Sequence, residues 1–269
     1  MAHLDKQYDS ASEIEFIQNH KQSDETIVFL HGISSGADSW IKQLDYFADK
    51  ASVLAWSAPG YGQSAPMQEQ IPTALDYSRR LLTLLESSGI KRVSLVGHSL
   101  GALIASGFAA EYPQMVNKVI LANAAQGYGE FDQAKQDEVA QKRPKLLKEL
   151  GGTEMARQRS HALLFDASDD KVKLLEQIME QISAEGFEKS SQLLARDSMH
   201  HYLDQIDKPV DLIYGAEDGI TPPRIMFEIA DRHKNVSLHP IESASHLSYL
   251  DQPERFNQLL LSIIKGNGL

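Results

Sequence analysis

The sequence lacks cysteine, long hydrophobic runs and an excess of basic residues. Without cysteine, neither a disulfide framework nor a thiolate metal site can form, which fits a reducing compartment. The 26 Lys and Arg residues face 37 Asp and Glu residues, and the resulting net charge of -11 disfavours binding to nucleic acid. No apolar stretch is long enough to cross a bilayer, and the N-terminus has no secretory signal pattern. We therefore expect a cytoplasmic protein that binds neither nucleic acid nor membrane, while the oligomeric state stays open.

Short apolar runs alternate with amphipathic segments through much of the 269-residue chain. The predicted strands are residues 14–18, 26–30, 52–56, 92–96, 119–122, 210–214 and 236–241. The predicted helices are residues 37–49, 73–88, 99–111, 223–232 and 253–265. Continuous apolar runs are typical of parallel strands that are covered on both faces. The alternation predicts an α/β protein with a doubly wound, mostly parallel sheet.

The middle of the chain breaks this alternation. Residues 127–205 contain only helical patterns, and strands resume directly afterwards. We interpret residues 1–126 and 206–269 as one α/β core and residues 127–205 as an inserted helical cap. An independent helical domain is the alternative, which the immediate return of strands disfavours.

The sharpest chemical motif is Gly97-His98-Ser99-Leu100-Gly101, which lies between a predicted strand and a predicted helix. A nucleophile on such a tight turn needs small neighbours, and two glycines provide the room. The following helix offers amide groups and a positive dipole end to a developing oxyanion. Alternatively, the glycines only permit close packing and Ser99 only caps the helix.

With this motif, the chain resembles the α/β-hydrolase superfamily over nearly its full length. The resemblance implies an acid after the strand that follows the insertion, and a base near the C-terminus. Tyr214-Gly215-Ala216-Glu217-Asp218 matches the acid loop, and Ala244-Ser245-His246-Leu247 matches the base loop. The implied catalytic triad is Ser99, Asp218 and His246, in the chain order expected of this fold. Glu217 is the nearest rival for the acid position.

The resemblance also implies an oxyanion hole. The sequence His31-Gly32-Ile33 follows a predicted strand, and in the superfamily the residue after the His-Gly pair donates one backbone amide. The residue after the nucleophile donates the other, so Ile33 and Leu100 are the implied donors. One position departs from relatives, because Ser57 stands where Asp is common.

The remaining histidines suggest no further site. We expect His98 to be structural, and His200 and His201 to be surface or packing residues. No cluster of histidine and carboxylate has metal-ligand spacing, so we predict neither a metal nor a cofactor.

The sequence therefore favours a carboxylesterase that acts on a small-molecule ester through an acyl-enzyme. The alternatives are an enol-lactone hydrolase, which the base loop also resembles, and a C–C bond hydrolase that acts on meta-cleavage products. Leu247 stands where the C–C hydrolases more often have Trp. A non-catalytic ligand-binding protein of the same fold is a more remote alternative.

Overall fold

A mixed eight-stranded sheet organises the computed structural model, which describes residues 4–19, 21 and 23–266. The strands are β1 (Leu4–Asp9), β2 (Ile14–Asn19), β3 (Thr26–Leu30), β4 (Ser52–Trp56), β5 (Val93–His98), β6 (Val116–Ala122), β7 (Val210–Gly215) and β8 (Val236–Ile241). Their order across the sheet is β1-β2-β4-β3-β5-β6-β7-β8. The strands from β4 to β8 pair in parallel, whereas β1 and β2 pair antiparallel at one edge. The predicted fold class is confirmed.

The central strands form where the apolar runs lie. Every residue of β3 and β5 is buried, which is the pattern of strands covered on both faces. The strand β1 was not predicted, because its sequence LDKQYD alternates in exposure at the sheet edge and contains few apolar residues. The predicted helix over residues 37–49 is a 3-10 turn, Ala37–Trp40, followed by a separate short helix.

Ten α-helices are found in the described residues. They are α1 (Ile41–Phe47), α2 (Ala74–Ser87), α3 (Leu100–Glu111), α4 (Gln133–Leu163), α5 (Asp169–Glu180), α6 (Ala184–Arg196), α7 (Met199–Leu203), α8 (Pro223–Arg232), α9 (Ser248–Asp251) and α10 (Pro253–Lys265). In the described part of the chain, no helix is long and apolar enough to span a membrane.

The four helices α4 to α7 lie between β6 and β7, within the segment predicted as a cap. The longest of them, α4, is interrupted at Gly151, whose backbone is left-handed with φ 73°. This conformation is strained for residues with a side chain but readily adopted by glycine. The two limbs of α4 therefore run in different directions.

The parallel strands place their carboxyl ends at one edge of the sheet, where open α/β sheets bind their ligands. The loops after β3, β5, β6, β7 and β8 all meet there. These loops, together with Leu100 at the start of α3, carry every site residue that the sequence predicts.

Candidate active site

Ser99 lies on a strained turn between β5 and α3. Its φ of 51° and ψ of -114° are unusual for a residue with a side chain. The turn is tight because its neighbours are glycines. A Cβ on Gly97 would lie 2.3 Å from the carbonyl oxygen of Gly101, and a Cβ on Gly101 would lie 2.2 Å from that of Leu30. The two glycines let the helix approach the sheet and present Ser99 at its N-terminus.

His246 and Asp218 form a buried pair beside this turn. Nδ1 of His246 lies 2.9 Å from Oδ2 of Asp218, and the Asp218 side chain is fully buried. Because a carboxylate only accepts, His246 carries a proton on Nδ1 and donates it to Asp218. In the neutral imidazole, Nε2 is then free to accept a proton. This is the tautomer that a general base needs.

Asp218 is held by a complete set of donors. Nδ2 of Asn123 donates to its Oδ2 over 2.8 Å, and the hydroxyl of Thr221 lies 2.8 Å from the same oxygen. The backbone amides of Ile220 and Thr221 donate to its Oδ1 over 2.7 and 3.0 Å. These contacts join the loops after β6, β7 and β8 around one carboxylate.

The electrostatic result is an Asp218 that stays ionised. Burial opposes this, because it penalises the charged carboxylate. Burial is the largest single effect, but the electrostatic attraction of His246 and the hydrogen bonds from His246, Asn123 and Thr221 together outweigh it. The pKa of Asp218 is lowered from 3.8 to about 2.

A second strained position supports the pair. Asn123 follows β6 with φ 45°, a conformation that asparagine tolerates better than most residues. Its amide also donates to the carbonyl of Ser245, 3.2 Å away, and its Oδ1 accepts from the hydroxyl of Ser248 over 2.6 Å. Asn123 therefore links the acid loop to the base loop.

The loop after β3 is fixed by His31. Its Nδ1 lies 2.8 Å from the carbonyl oxygen of Gly32, and its Nε2 lies 2.9 Å from the backbone N of Ala58. Because a carbonyl only accepts and an amide only donates, the proton is on Nδ1. Burial lowers the pKa of His31 to about 4, which keeps the ring neutral.

This bond orients the peptide between Gly32 and Ile33. In a trans peptide, the carbonyl and the N–H point in opposite directions, so holding the Gly32 carbonyl also holds the Ile33 amide. The hydroxyl of Tyr61 donates to the carbonyl of Ile33 over 2.7 Å and fixes the next peptide. A Cβ on Gly32 would lie 3.0 Å from Cβ of Ser99, so this loop closely approaches the serine.

One cavity brings these groups together. Ser99, His246 and Ile33 line about 680 Å³ of atom-free space, part of which is open to solvent. Residues of α4 and α6 line the opposite side: Arg143, Arg159, Leu163 and Leu194. The segment predicted as a cap therefore contributes to the cavity walls.

The other histidines lie in different environments. Nε2 of His98 donates to the backbone carbonyl of His246 over 2.8 Å, so His98 braces the base loop and also borders the cavity. His200 is buried, 2.9 Å from Nε2 of His233, and neither His200 nor His201 lines the cavity.

The structure brings Ser99, His246 and Ile33 to one cavity. Asp218 lies behind His246, to which it is hydrogen-bonded, and Leu100 is the first residue of α3; neither of these two lines the cavity. Glu217, the rival acid, is exposed to solvent next to the buried Asp218. Ser57 does not line the cavity, and its hydroxyl donates to the buried Glu15 over 3.0 Å. Among the described residues, no group of three or more His, Cys, Asp or Glu could hold a metal ion.

Several residues that support the site or line its cavity were not predicted from the sequence. Asn123 and Thr221 support the acid, Tyr61 fixes the loop after β3, and Arg143 and Arg159 line the cavity. An asparagine directly after a strand and a threonine before a proline were the only local signals.

Comparison with known proteins agrees with this geometry. The family model described as the alpha/beta hydrolase fold matches residues 25–253. The chain is 28% identical over 244 residues to 3-oxoadipate enol-lactonase 2 of Acinetobacter baylyi, covering 89% of this chain and 88% of that protein. It is 28% identical over 257 residues to a 2-hydroxy-6-oxononadienedioate/2-hydroxy-6-oxononatrienedioate hydrolase of Paraburkholderia phymatum, covering 89% of this chain and 87% of that protein.

Solved structures resemble the whole fold. A thermophilic esterase from Thermogutta terrifontis superposes with a TM-score of 0.83 at 20% identity, covering 99% of this chain and 98% of that one. The enol-lactonase from Burkholderia xenovorans LB400 superposes with a TM-score of 0.79 at 17% identity, covering 96% of this chain and 100% of that one. These likenesses concern the fold, and the family model spans most of the chain. The protein is a member of the α/β-hydrolase family.

Proposed function

We propose that this protein is a serine hydrolase that cleaves carboxylic esters through an acyl-enzyme on Ser99. The observation that carries the proposal is the 2.9 Å bond to the buried Asp218 from His246, a residue that lines the same cavity as Ser99. A serine hydroxyl is a weak nucleophile at neutral pH unless a base removes its proton. The Nδ1–H tautomer of His246 leaves Nε2 available for that task.

In the proposed first half-reaction, Oγ of Ser99 attacks the ester carbonyl while Nε2 of His246 takes its proton. The carbonyl oxygen becomes an oxyanion, which the amides of Ile33 and Leu100 stabilise by hydrogen bonds. One such donor typically contributes about 3 kcal/mol to lowering the barrier. The carbon–oxygen bond then breaks, and the alcohol leaves with the proton from the imidazolium.

In the second half-reaction, water replaces the serine hydroxyl as the nucleophile. His246 takes a proton from water, the resulting tetrahedral intermediate collapses, and Oγ of Ser99 leaves with that proton. The product is a carboxylic acid. Asp218 remains ionised throughout and stabilises the imidazolium that forms in each half-reaction.

A lactone is the second candidate substrate, since the same bond is broken and the leaving alcohol remains attached to the acyl group. The similarity to an enol-lactonase favours it. A C–C bond hydrolase is a third, supported by the similarity to the dienedioate hydrolase. Leu247, which lines the cavity, stands where such hydrolases more often have Trp.

Burst kinetics with 4-nitrophenyl acetate test the proposal. We expect a burst of nitrophenolate equal to one equivalent per chain, followed by slower turnover. A ligand-binding protein without catalysis would release no such burst. Esters of increasing chain length, an enol-lactone and a vinylogous C–C substrate, assayed in parallel, would then rank the three reactions by kcat/KM.

A further inference from the structure

Two arginines of α4 face the catalytic cavity. Arg143 and Arg159 border the same space as Ser99 and His246. They are 16 positions apart in sequence, which would separate them by about 24 Å along a straight helix. The left-handed backbone at Gly151, between them, breaks the helix and lets both limbs contribute to one cavity.

Neither arginine has a carboxylate partner within 4 Å among the described residues. In contrast, Arg157 of the same helix is exposed and donates to Glu176 over 2.6 Å. The cavity lining in the described structure also contains no Asp or Glu, although acidic residues predominate in the whole chain. The cavity therefore carries positive charge inside a protein of net charge -11.

The burial of these groups makes the absence of a partner significant. Nε of Arg143 is buried without a hydrogen-bond partner, and burial lowers the pKa of Arg143. Burial, and then repulsion from Arg143, lower the pKa of Arg159 to about 10. A buried charge is destabilising unless it is paired. Two partly buried guanidinium groups that line one cavity without a carboxylate partner are therefore expected to meet an anion in the working complex.

We propose that the substrate of the Ser99 site carries a carboxylate remote from the scissile bond, and that Arg143 and Arg159 bind this carboxylate together. The planar guanidinium group matches a carboxylate with two parallel hydrogen bonds, and such charge-assisted bonds are the strongest available to side chains. The inference rests on the proposed function, because it assigns the part of the substrate that does not react.

Matched esters of adipic acid test this inference. One is the 4-nitrophenyl ester with a free carboxylate at the far end, and the other has a neutral carboxamide there. After subtraction of spontaneous hydrolysis, we expect wild-type kcat/KM to be about 10- to 100-fold higher for the carboxylate, as the loss of a hydrogen bond to a charged group implies. A ratio of one or less would overturn the inference.

Single substitutions test which arginines cause the preference for the carboxylate ester over the carboxamide ester. Arg143→Gln and Arg159→Gln should each lower the carboxylate-to-carboxamide ratio by about tenfold or more. Arg157→Gln is the matched control, because this exposed arginine lies on the same helix outside the cavity, and it should keep the wild-type ratio. An unchanged ratio in both cavity variants would contradict the assignment.

Calorimetry separates this inference from the proposed function. Adipate titrated into the Ser99→Ala variant requires no turnover, and we expect binding that weakens at least tenfold when Arg143→Gln is added. If wild type hydrolyses neither ester yet adipate binding depends on Arg143, the carboxylate site stands and the hydrolytic proposal fails. If adipate at millimolar concentration does not bind the Ser99→Ala variant, the carboxylate site is refuted. This outcome does not require the Arg143→Gln protein to fold.

Discussion

The two sides of the cavity that Ser99 and His246 line differ in how their polar groups are hydrogen-bonded. On the sheet side, Asp218 accepts bonds from His246, Asn123 and backbone amides, and its charge is matched before any ligand arrives. On the helical side, Arg143 and Arg159 face the same space without a carboxylate partner in the described structure.

On the proposed function, this contrast separates the groups that carry out the reaction from those that recognise the substrate. Groups that must act on every substrate gain from being preorganised, since no rearrangement is then needed during the reaction. Groups that select a substrate gain from being left unpaired, because the correct ligand then supplies the missing partner. We therefore expect sheet-side changes to reduce turnover. Helical-side changes should alter selectivity, and those that remove an unpaired charge should raise the free energy of unfolding.

The largest expected effect is on the sheet side. Ser99→Ala should lower kcat for 4-nitrophenyl acetate by about a millionfold, because the nucleophile is removed. Its thermal unfolding midpoint should stay near that of wild type. Retained esterase activity in a folded variant would show that another group attacks the ester.

Asp218→Asn should lower kcat by about ten-thousandfold, because an amide favours the wrong tautomer of His246. Glu217→Gln is the matched control, since Glu217 is adjacent but exposed, and it should retain nearly full activity. If Glu217→Gln were the more damaging change in steady-state assays, the acid would be misassigned.

The same carboxylate should make stability depend on pH. The pKa of Asp218 is about 2 in the folded protein and 3.8 ordinarily, so ionisation favours the folded state above about pH 4. This contribution, roughly 2 to 3 kcal/mol, should be lost as the pH falls from about 4 toward 2. Urea unfolding at several pH values should show a smaller acid-induced fall for Asp218→Asn than for Glu217→Gln. Equal falls would argue against a specially stabilised Asp218.

The smallest expected effect is an increase in stability, whereas the preceding changes lower activity or stability. Arg143→Met keeps a long apolar stem but removes an unpaired buried charge, so the free energy of unfolding should rise by about 1 kcal/mol. That corresponds to about 2 to 4 °C in the melting temperature. Arg157→Met, which removes an exposed ion pair, should change stability by less than about 0.5 kcal/mol. A large loss of stability in Arg143→Met would mean that Arg143 is structural.

The sequence predicts some of these features because their signals are local. The turn at Ser99 is marked by glycines at fixed spacing, and the crowding around Gly97 and Gly101 explains why no larger residue stands there. The parallel strands are marked by uninterrupted apolar runs. The edge strand β1 lacks such a run, and its place in the sheet depends on pairing with β2.

Other features depend on tertiary contacts that no local pattern records. Asn123 reaches Asp218, 95 positions away, because β6 and β7 are neighbours in the sheet. An arginine on α4 looks the same in sequence whether it faces solvent or a cavity. The break in α4 at Gly151 turns both Arg143 and Arg159 toward the cavity. In the sequence alone, this glycine could equally mark an ordinary helix end.

The most direct test of the account is to trap the covalent intermediate. Wild type mixed with 4-nitrophenyl acetate and quenched in acid within the burst should carry one acetyl group, located by peptide mass spectrometry on Ser99. The Ser99→Ala variant treated in the same way should carry none. Nitrophenolate released by wild type with no acyl group on Ser99, or an acyl group found on another residue, would contradict the account.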